Sequence, residues 1–356
     1  GALLTGLRRI EDLAWLRITS AVLATVFGVG ALLVWGDDAI IIIVLVPPAA
    51  SFVLGHWFVS RLDHVRAKVS WAAIRREGRQ MAALGVPIML AGLIELLSPL
   101  FIRVSIQREL GTDSLGHFQA SWAIGQTYLG FVLGAMSTDY FPRLSGCRQD
   151  EKTARRLVNE QAEVALVLAG PVILALMAVA PWVVTLLYSD EFSMAAKMLQ
   201  WQLYGDIFRV IGWPVSFILL AAGMGTVHMI KIAASNIVLV GSTLYLLTSF
   251  GIVGAGMAFS VMTILHLPVI WWLARRRIDF RWSKAAVKDG STLVLAGTVV
   301  LALGQWSDVG AALVGIPIAI AMGIYSLRKL TTMADLSGPL GKLTRLGQRW
   351  LAKFTR

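Results

Sequence analysis

Apolar residues along the chain fall in blocks of roughly twenty, set apart by short polar stretches. About twenty apolar residues in a helix rising 1.5 Å per residue cross a hydrocarbon core about 30 Å thick. Ten such blocks can be drawn, at 18–35, 39–60, 81–102, 116–141, 163–188, 199–222, 227–250, 251–273, 291–306 and 311–327. The last two are close to the shortest workable length. Strands of a membrane barrel would run about ten residues and alternate in polarity. The pattern therefore predicts an all-α, polytopic helical membrane protein of about ten transmembrane helices.

Composition agrees: 57% of residues are hydrophobic and only 15% charged, with a mean hydropathy of +0.71. A soluble domain carries about 25% charged residues. One cysteine, Cys147, excludes an intramolecular disulfide. The net charge of +11 raises the question of nucleic acid, and its distribution answers it. Of 32 Lys and Arg, 28 fall in alternate connections: near Arg8–Arg17, over 61–79 and 143–156, at Lys231, over 275–288 and after Leu327. The opposite connections hold only Arg103, Arg108 and Lys197, and Arg209 lies inside a block. The positive-inside rule places the first set, and both ends of the chain, in the cytoplasm. There the charge faces anionic head groups, and no nucleic-acid partner is expected.

The outer connections, 36–38, 103–115, 189–198, 250–251 and 307–310, are too short for an outer domain. The inner connections 61–80 and 142–161 are the longest and helical in pattern. The tail 341–356 sets Leu343, Leu346, Trp350 and Phe354 on one face, with Lys342, Arg345, Arg349 and Lys353 largely on the other. That is an interfacial amphipathic helix, an anchor or a docking element. The chain begins at Gly1, and its first 17 residues read as the polar end of an earlier helix, with no signal peptide. A preceding N-terminal part is expected.

Ionisable groups inside spans are costly and mark function by default. In the sixth block Gln202, Asp206, Arg209 and Trp213 share a face, and Asp206 and Arg209 pair at i, i+3. They form either a polar wall, with Arg209 for a phosphate and Asp206 for positioning or ion coupling, or a structural ion pair. Pro214 follows as a hinge candidate. Glu95 in the third block, with Pro99 and Arg103 near its face, is a proton carrier or a carboxyl satisfied by neighbouring helices. Gln119, Trp122 and Gln126 at i, i+3, i+7 suit sugar hydroxyls or bonds between helices. Asp139 and Arg143 read as a structural pair, and His266 as a packed histidine. The glycine-rich stretch 251–256 reads as close helix packing. Metal-ligand clusters, phosphate loops and ATPase modules are missing from the sequence, so no enzyme activity, metal or cofactor is expected.

The stretch LGHFQASWAIGQTYLGFVLGAMSTDYFPRLSG at 115–146 resembles the central signature of Wzx-type lipid-linked oligosaccharide flippases of the MOP superfamily. These include the O-antigen and enterobacterial-common-antigen translocases. The likeness continues through Asn159-Glu160-Gln161, Ala180-Pro181-Trp182, Leu186 to Ser189 and Glu191-Phe192. It extends to Leu199 to Gln202, Gly205-Asp206, Trp213-Pro214 and the N-terminal Leu4 to Arg9, spanning about residues 3–277. Such proteins have twelve or more spans in two six-helix lobes. The resemblance makes 1–80 a remnant of the N-terminal lobe and 81–278 the C-terminal lobe. Two extra spans at 279–340 and the tail at 341–356 follow, in a MATE-like bundle lacking its first four helices.

The resemblance implies a flippase of the bacterial cytoplasmic (inner) membrane, serving surface polysaccharide and lipopolysaccharide synthesis. Its cargo would be an undecaprenyl-pyrophosphate-linked glycan, its other partners the bilayer and polysaccharide polymerase machinery. Arg209, Gln202, Gln119, Trp122 and Gln126 are the expected substrate-binding residues, with Asp206 and Glu95 for ion coupling. The rivals are a drug/cation antiporter of the same superfamily, a membrane glycosyltransferase or ligase, and a non-transporting scaffold.

Overall fold

Local chemistry sets where the helices start and stop, and it often does so outside the apolar blocks. Asp150 accepts hydrogen bonds from the backbone N–H groups of Lys152 and Thr153, both at 3.1 Å, and so starts a helix twelve residues ahead of the apolar block at 163. Ser283 caps another through the Ala286 N–H at 2.9 Å. The computed structural model describes residues 9–61, 70–147 and 150–332, and among these there is no strand. The amphipathic tail 341–356 and the residues Leu4 to Arg8 lie outside the described residues.

The helices are α1 (Ile10–Trp35), α2 (Ile40–Ser60), α3 (Trp71–Gly146), α4 (Glu151–Ala178) and α5 (Ala180–Leu187). They continue with α6 (Ser193–Ala221), α7 (Gly225–Phe250), α8 (Val253–Ile278), α9 (Lys284–Trp306) and α10 (Asp308–Thr332). Nine of them, among the described residues, are long and apolar enough to cross a membrane. One of the nine, α3, holds 76 residues and breaks at Gly111, where φ is 84° and ψ 179°. Glu95 and Gln126 flank that break, 31 residues apart, and would stand about 46 Å apart on a straight helix. Both line one cavity, so the chain turns back at Gly111 and α3 supplies two spans. The expected outer loop 103–115 is thus helical on both sides of a single glycine hinge.

Contacts divide the chain into two units, Gly1–Arg75 and Arg76–Arg356. In the first, α1 and α2 pack as a hairpin across a 3-10 turn at Gly36–Ala39. In the second, α6 is central, packing on α8, α4 and α9, while α7 covers α8 and α10 joins α9 against α4. Large apolar side chains such as Phe52, Phe131, Leu186 and Trp306 are exposed. Such a surface would associate in water and is at home in hydrocarbon. This is a multi-pass membrane protein.

Between helices in lipid, close packing and polar bonds replace the hydrophobic effect. A Cβ at Gly256 of α8 would lie 2.4 Å from the Met198 carbonyl oxygen of α6, and one at Gly205 would lie 3.0 Å from Ser260 Cα. Only glycine permits that approach, as expected for the glycine-rich stretch. Ser260 Oγ then donates to the Trp201 carbonyl at 2.5 Å.

A charged cluster ties α9 and α10 to α4. Lys329 Nζ reaches Glu163 Oε2 at 2.9 Å and Asp289 Oδ2 at 2.5 Å, and Tyr325 donates to Asp289 at 2.8 Å. Ser283 Oγ donates to Glu163 at 2.7 Å, and the Ser283 N–H to Asn159 Oδ1 at 2.7 Å. Lys329, counted by sequence with the head-group-facing tail, is instead largely buried in this cluster. Lys231, counted by charge with the inner connections although it falls within the block 227–250, lies inside a helix. It sits in the second turn of α7 and is 5% exposed.

Candidate functional site

A cavity of about 430 Å³ opens between both arms of α3 and helices α6, α7 and α8. Glu95 and Pro99 come from the first arm, and Trp122 and Gln126 from the second. Arg209 and Trp213 come from α6, His228, Lys231, Ser235 and Asn236 from α7, and Thr263 and His266 from α8. Helical spacing explains the alignment: Arg209 and Trp213 are four apart, as are Lys231 and Ser235.

The Arg209 side chain is held from two sides. Its Nη1 donates to Gln126 Oε1 at 2.9 Å and lies 3.6 Å from Asp206 Oδ1. Asp206 is fully buried and also accepts from the Tyr128 hydroxyl at 3.2 Å. Asp206 therefore stands behind the guanidinium, and the Arg209 side chain as a whole remains 36% exposed. The expected pair exists, and it aims Arg209 at the cavity. Trp122 is fixed by stacking on Phe118 at 5.4 Å, and Trp213 by Tyr140 and Phe217 at 5.8 and 5.0 Å. Tyr140 in turn donates to the Pro214 carbonyl at 2.8 Å.

Arg209, Trp122, Gln126 and Glu95 are brought together, with Glu95 on the exposed side. Gln202 is fully buried elsewhere, accepting from Ser121 Oγ at 3.2 Å and filling the space left by Gly125. Gln119 is exposed and lines no part of the cavity. It precedes Trp122 by three residues, but the cavity begins one turn further into the bundle. Asp139 and Arg143 form the expected surface pair at 3.2 Å.

Sequence reasoning missed the α7 face. Lys231, His228 and Asn236 lie three to eight residues apart on one helix, a signal legible as helical periodicity once Lys231 is placed inside a span. His266 is bonded to Ser235 Oγ at 2.5 Å and faces the cavity with His228 and Lys231. It is packed, as expected, but it does not stand alone. Among the described residues no group of His, Cys, Asp and Glu is arranged to hold a metal ion.

The chain matches the family described as polysaccharide biosynthesis protein over residues 4–197, more than half its length. It belongs to that family. Family membership agrees with the resemblance carried by residues 115–146. Similar proteins include the lipid III flippase of Escherichia coli (strain K12), 23% identical over 183 residues, which are 50% of this chain and 43% of that protein. The lipid III flippase of Shigella flexneri matches to the same extent. The chain spans under half the length of these curated relatives. Among solved structures, the lipid II flippase MurJ in an inward closed conformation shares the fold at a TM-score of 0.59 and 13% identity. That match covers 87% of this chain and 67% of MurJ.

Proposed function

We propose that this family member is, or is part of, a flippase that carries a polyprenyl-pyrophosphate-linked oligosaccharide from the inner to the outer leaflet of the bacterial cytoplasmic membrane. The observation that carries this is the lining of the cavity. It holds two cations, Arg209 and Lys231, against one carboxylate, Glu95, together with two indoles and the amides of Gln126 and Asn236. Cations suit phosphate, and indoles and amides suit sugar faces and hydroxyls. A cavity of about 430 Å³ is in the range that takes one drug-sized ligand. It fits a phosphate group with the first sugars, and the polyprenyl tail stays in the bilayer.

In this reading Arg209 contacts phosphate, Asp206 positions it, and Gln126 and Trp122 meet the glycan. Gln202 bonds between helices through Ser121, and Gln119 takes no part in the cavity. Glu95 carries the coupling ion, and the basic connections face the cytoplasm. The lipid-linked relatives support the cargo class, and a polymerase would take up the product. A drug/cation antiporter would want an acidic cavity, and this one has an excess of positive groups. The test is genetic. Deleting the gene in its host should abolish surface polysaccharide and pile up lipid-linked oligosaccharide in the inner leaflet. Wild type should restore export, Arg209→Lys in part and Arg209→Gln by less than a tenth. Normal export by Arg209→Gln would remove the reading.

A further inference from the structure

Away from the cavity, the exposed side chains of α8 change character along the helix. Val261, Leu265, Val269 and Trp272 are exposed and follow one another at helical spacing, so they form one stripe. From Val261 to Trp272 the stripe rises about 17 Å, close to half of a hydrocarbon core about 30 Å thick. It therefore matches the acyl region of a single leaflet. Within one turn past Trp272 stand Arg275 and Arg276, both exposed, one toward each side of the stripe. That puts two cations at head-group level, where the hydrocarbon ends.

These two arginines differ from the bases around them. From Arg275 to Lys288 the chain holds six bases and one acid, Asp279. Arg277 lies 3.9 Å from Glu151, and Arg281 lies 3.7 Å from Asp279. Arg275 and Arg276 pair with no carboxylate among the described residues. Their guanidinium carbons lie over indoles instead, Arg276 at 4.0 Å from the Trp272 ring centre and Arg275 at 5.3 Å from that of Trp271. Both distances are within reach of a cation–π contact. The ring takes the flat face of the guanidinium and leaves its N–H edge free, and that edge binds phosphate oxygens. Resting on the indole also removes in advance part of the freedom that an arginine loses on binding. Lys284 and Lys288, exposed at the start of α9, rest on no ring among the described residues.

We propose that this end of α8 is a binding site for an anionic glycerophospholipid, with Arg275 and Arg276 on its phosphate and an acyl chain along Val261, Leu265 and Val269. The occupant follows from the two halves of the surface. An apolar stripe one leaflet long takes a hydrocarbon chain, and two guanidiniums take an anion. Their adjacency asks for both in one molecule. A soluble phosphate would meet only the second half, and a neutral lipid only the first. None of these residues lines the cavity, which α8 meets through Met262, Thr263 and His266 on another face. A lipid held here thus steadies a helix that forms one wall of the cavity, whatever the cavity carries.

The experiment uses the full chain purified in detergent. It is titrated with phosphatidylglycerol or with phosphatidylcholine of the same acyl chains, and retained lipid is counted by native mass spectrometry. Wild type should hold phosphatidylglycerol at least tenfold more tightly, since each cation near a head group adds about fivefold. Arg275→Gln with Arg276→Gln should abolish that preference. Lys284→Gln with Lys288→Gln removes the same charge from the same basic stretch and should leave the preference near wild type. Trp272→Leu keeps the apolar stripe but removes one stack, and should weaken phosphatidylglycerol binding by about threefold, the worth of an exposed cation–π contact. All the substituted side chains are exposed or half-buried at the surface, and thermal melts check that each variant folds.

Equal retention of the two lipids by wild type would overturn the site. Equal loss in the arginine and lysine variants would overturn it as well, by assigning the preference to the basic stretch as a whole. Competition by soluble glycerol 3-phosphate as strong as that by the lipid would assign the contact to phosphate alone and remove the acyl half. Transport plays no part in this assay, so failed complementation would sink the flippase reading without touching the lipid site.

Discussion

Gly256→Ala is expected to loosen the contact between α6 and α8 that aligns the cavity. The added methyl would lie 2.4 Å from the Met198 carbonyl oxygen and 3.1 Å from both Met198 Cγ and Trp201 Cβ. Carbon–oxygen contacts between helices sit at about 3.3–3.6 Å, so the two helices must part by about 1 Å. A backbone oxygen has no rotamer to escape into. Overpacking of this kind costs about 1–3 kcal/mol. Parting the helices also stretches the Ser260–Trp201 bond of 2.5 Å, a loss of about 1 kcal/mol. Alanine's better helix propensity returns about 1 kcal/mol, leaving a net loss of about 1–3 kcal/mol. For a chain of 356 residues, with an unfolding entropy of about 2.1 cal/mol/K per residue, that is a fall of about 1–4 °C in Tm. Thermal unfolding in detergent, followed by tryptophan fluorescence, reads it directly. Gly134→Ala is the control, since nothing lies within 4 Å of its Cβ position, and it should melt at or slightly above wild type. If Gly256→Ala melts with wild type, the close approach of α6 and α8 does not hold these helices together.

Gly111→Ala forces a Cβ into a conformation of φ 84° and ψ 179° that suits glycine, at a cost of about 1–3 kcal/mol. Expression and melting should both fall, and a wild-type melt would argue that the chain turns elsewhere. Lys329→Met leaves Glu163 and Asp289 facing each other without their ammonium, a loss of about 3 kcal/mol. Adding Asp289→Asn should return part of it, and a double variant no better than the single would refute the cluster as a unit. Asp150 is exposed and its carboxyl is held below the usual range, chiefly by the Thr153 hydroxyl and backbone N–H. Its folded value is depressed, so the cap's contribution is complete above the ordinary carboxylate value of about pH 4 and is lost as pH falls through the lower folded value. Asp150→Asn should flatten stability over that acid window; equal pH profiles for variant and wild type would show that the cap does not titrate with folding.

Much of this protein was legible in one dimension. The block length alone establishes membrane spans, because hydrocarbon thickness and helix rise admit few alternatives. The i, i+3 spacing of Asp206 and Arg209 predicts their pairing, because both lie on one helix and no fold is needed to bring them together. Glu95, Trp122, Gln126 and Arg209 were singled out for the same reason, as polar groups in apolar blocks.

What depends on contacts between helices was not legible. Gln119 shares a helical face with Trp122 in projection, but the bundle covers only part of that face, so the cavity takes one and leaves the other out. Gln202 is drawn away from the cavity by Ser121 and the gap at Gly125, which lie about eighty residues earlier. Lys231 looks like any basic residue near a span end, and only the packing of α3, α6 and α8 around it turns a topological charge into a buried one. Lys329 is likewise claimed by carboxylates on two other helices. Sequence periodicity settles which residues a single helix can offer on a face, because that is local geometry. Which faces meet is decided by glycine contacts and interhelical bonds between distant residues, and those exist only in the folded chain.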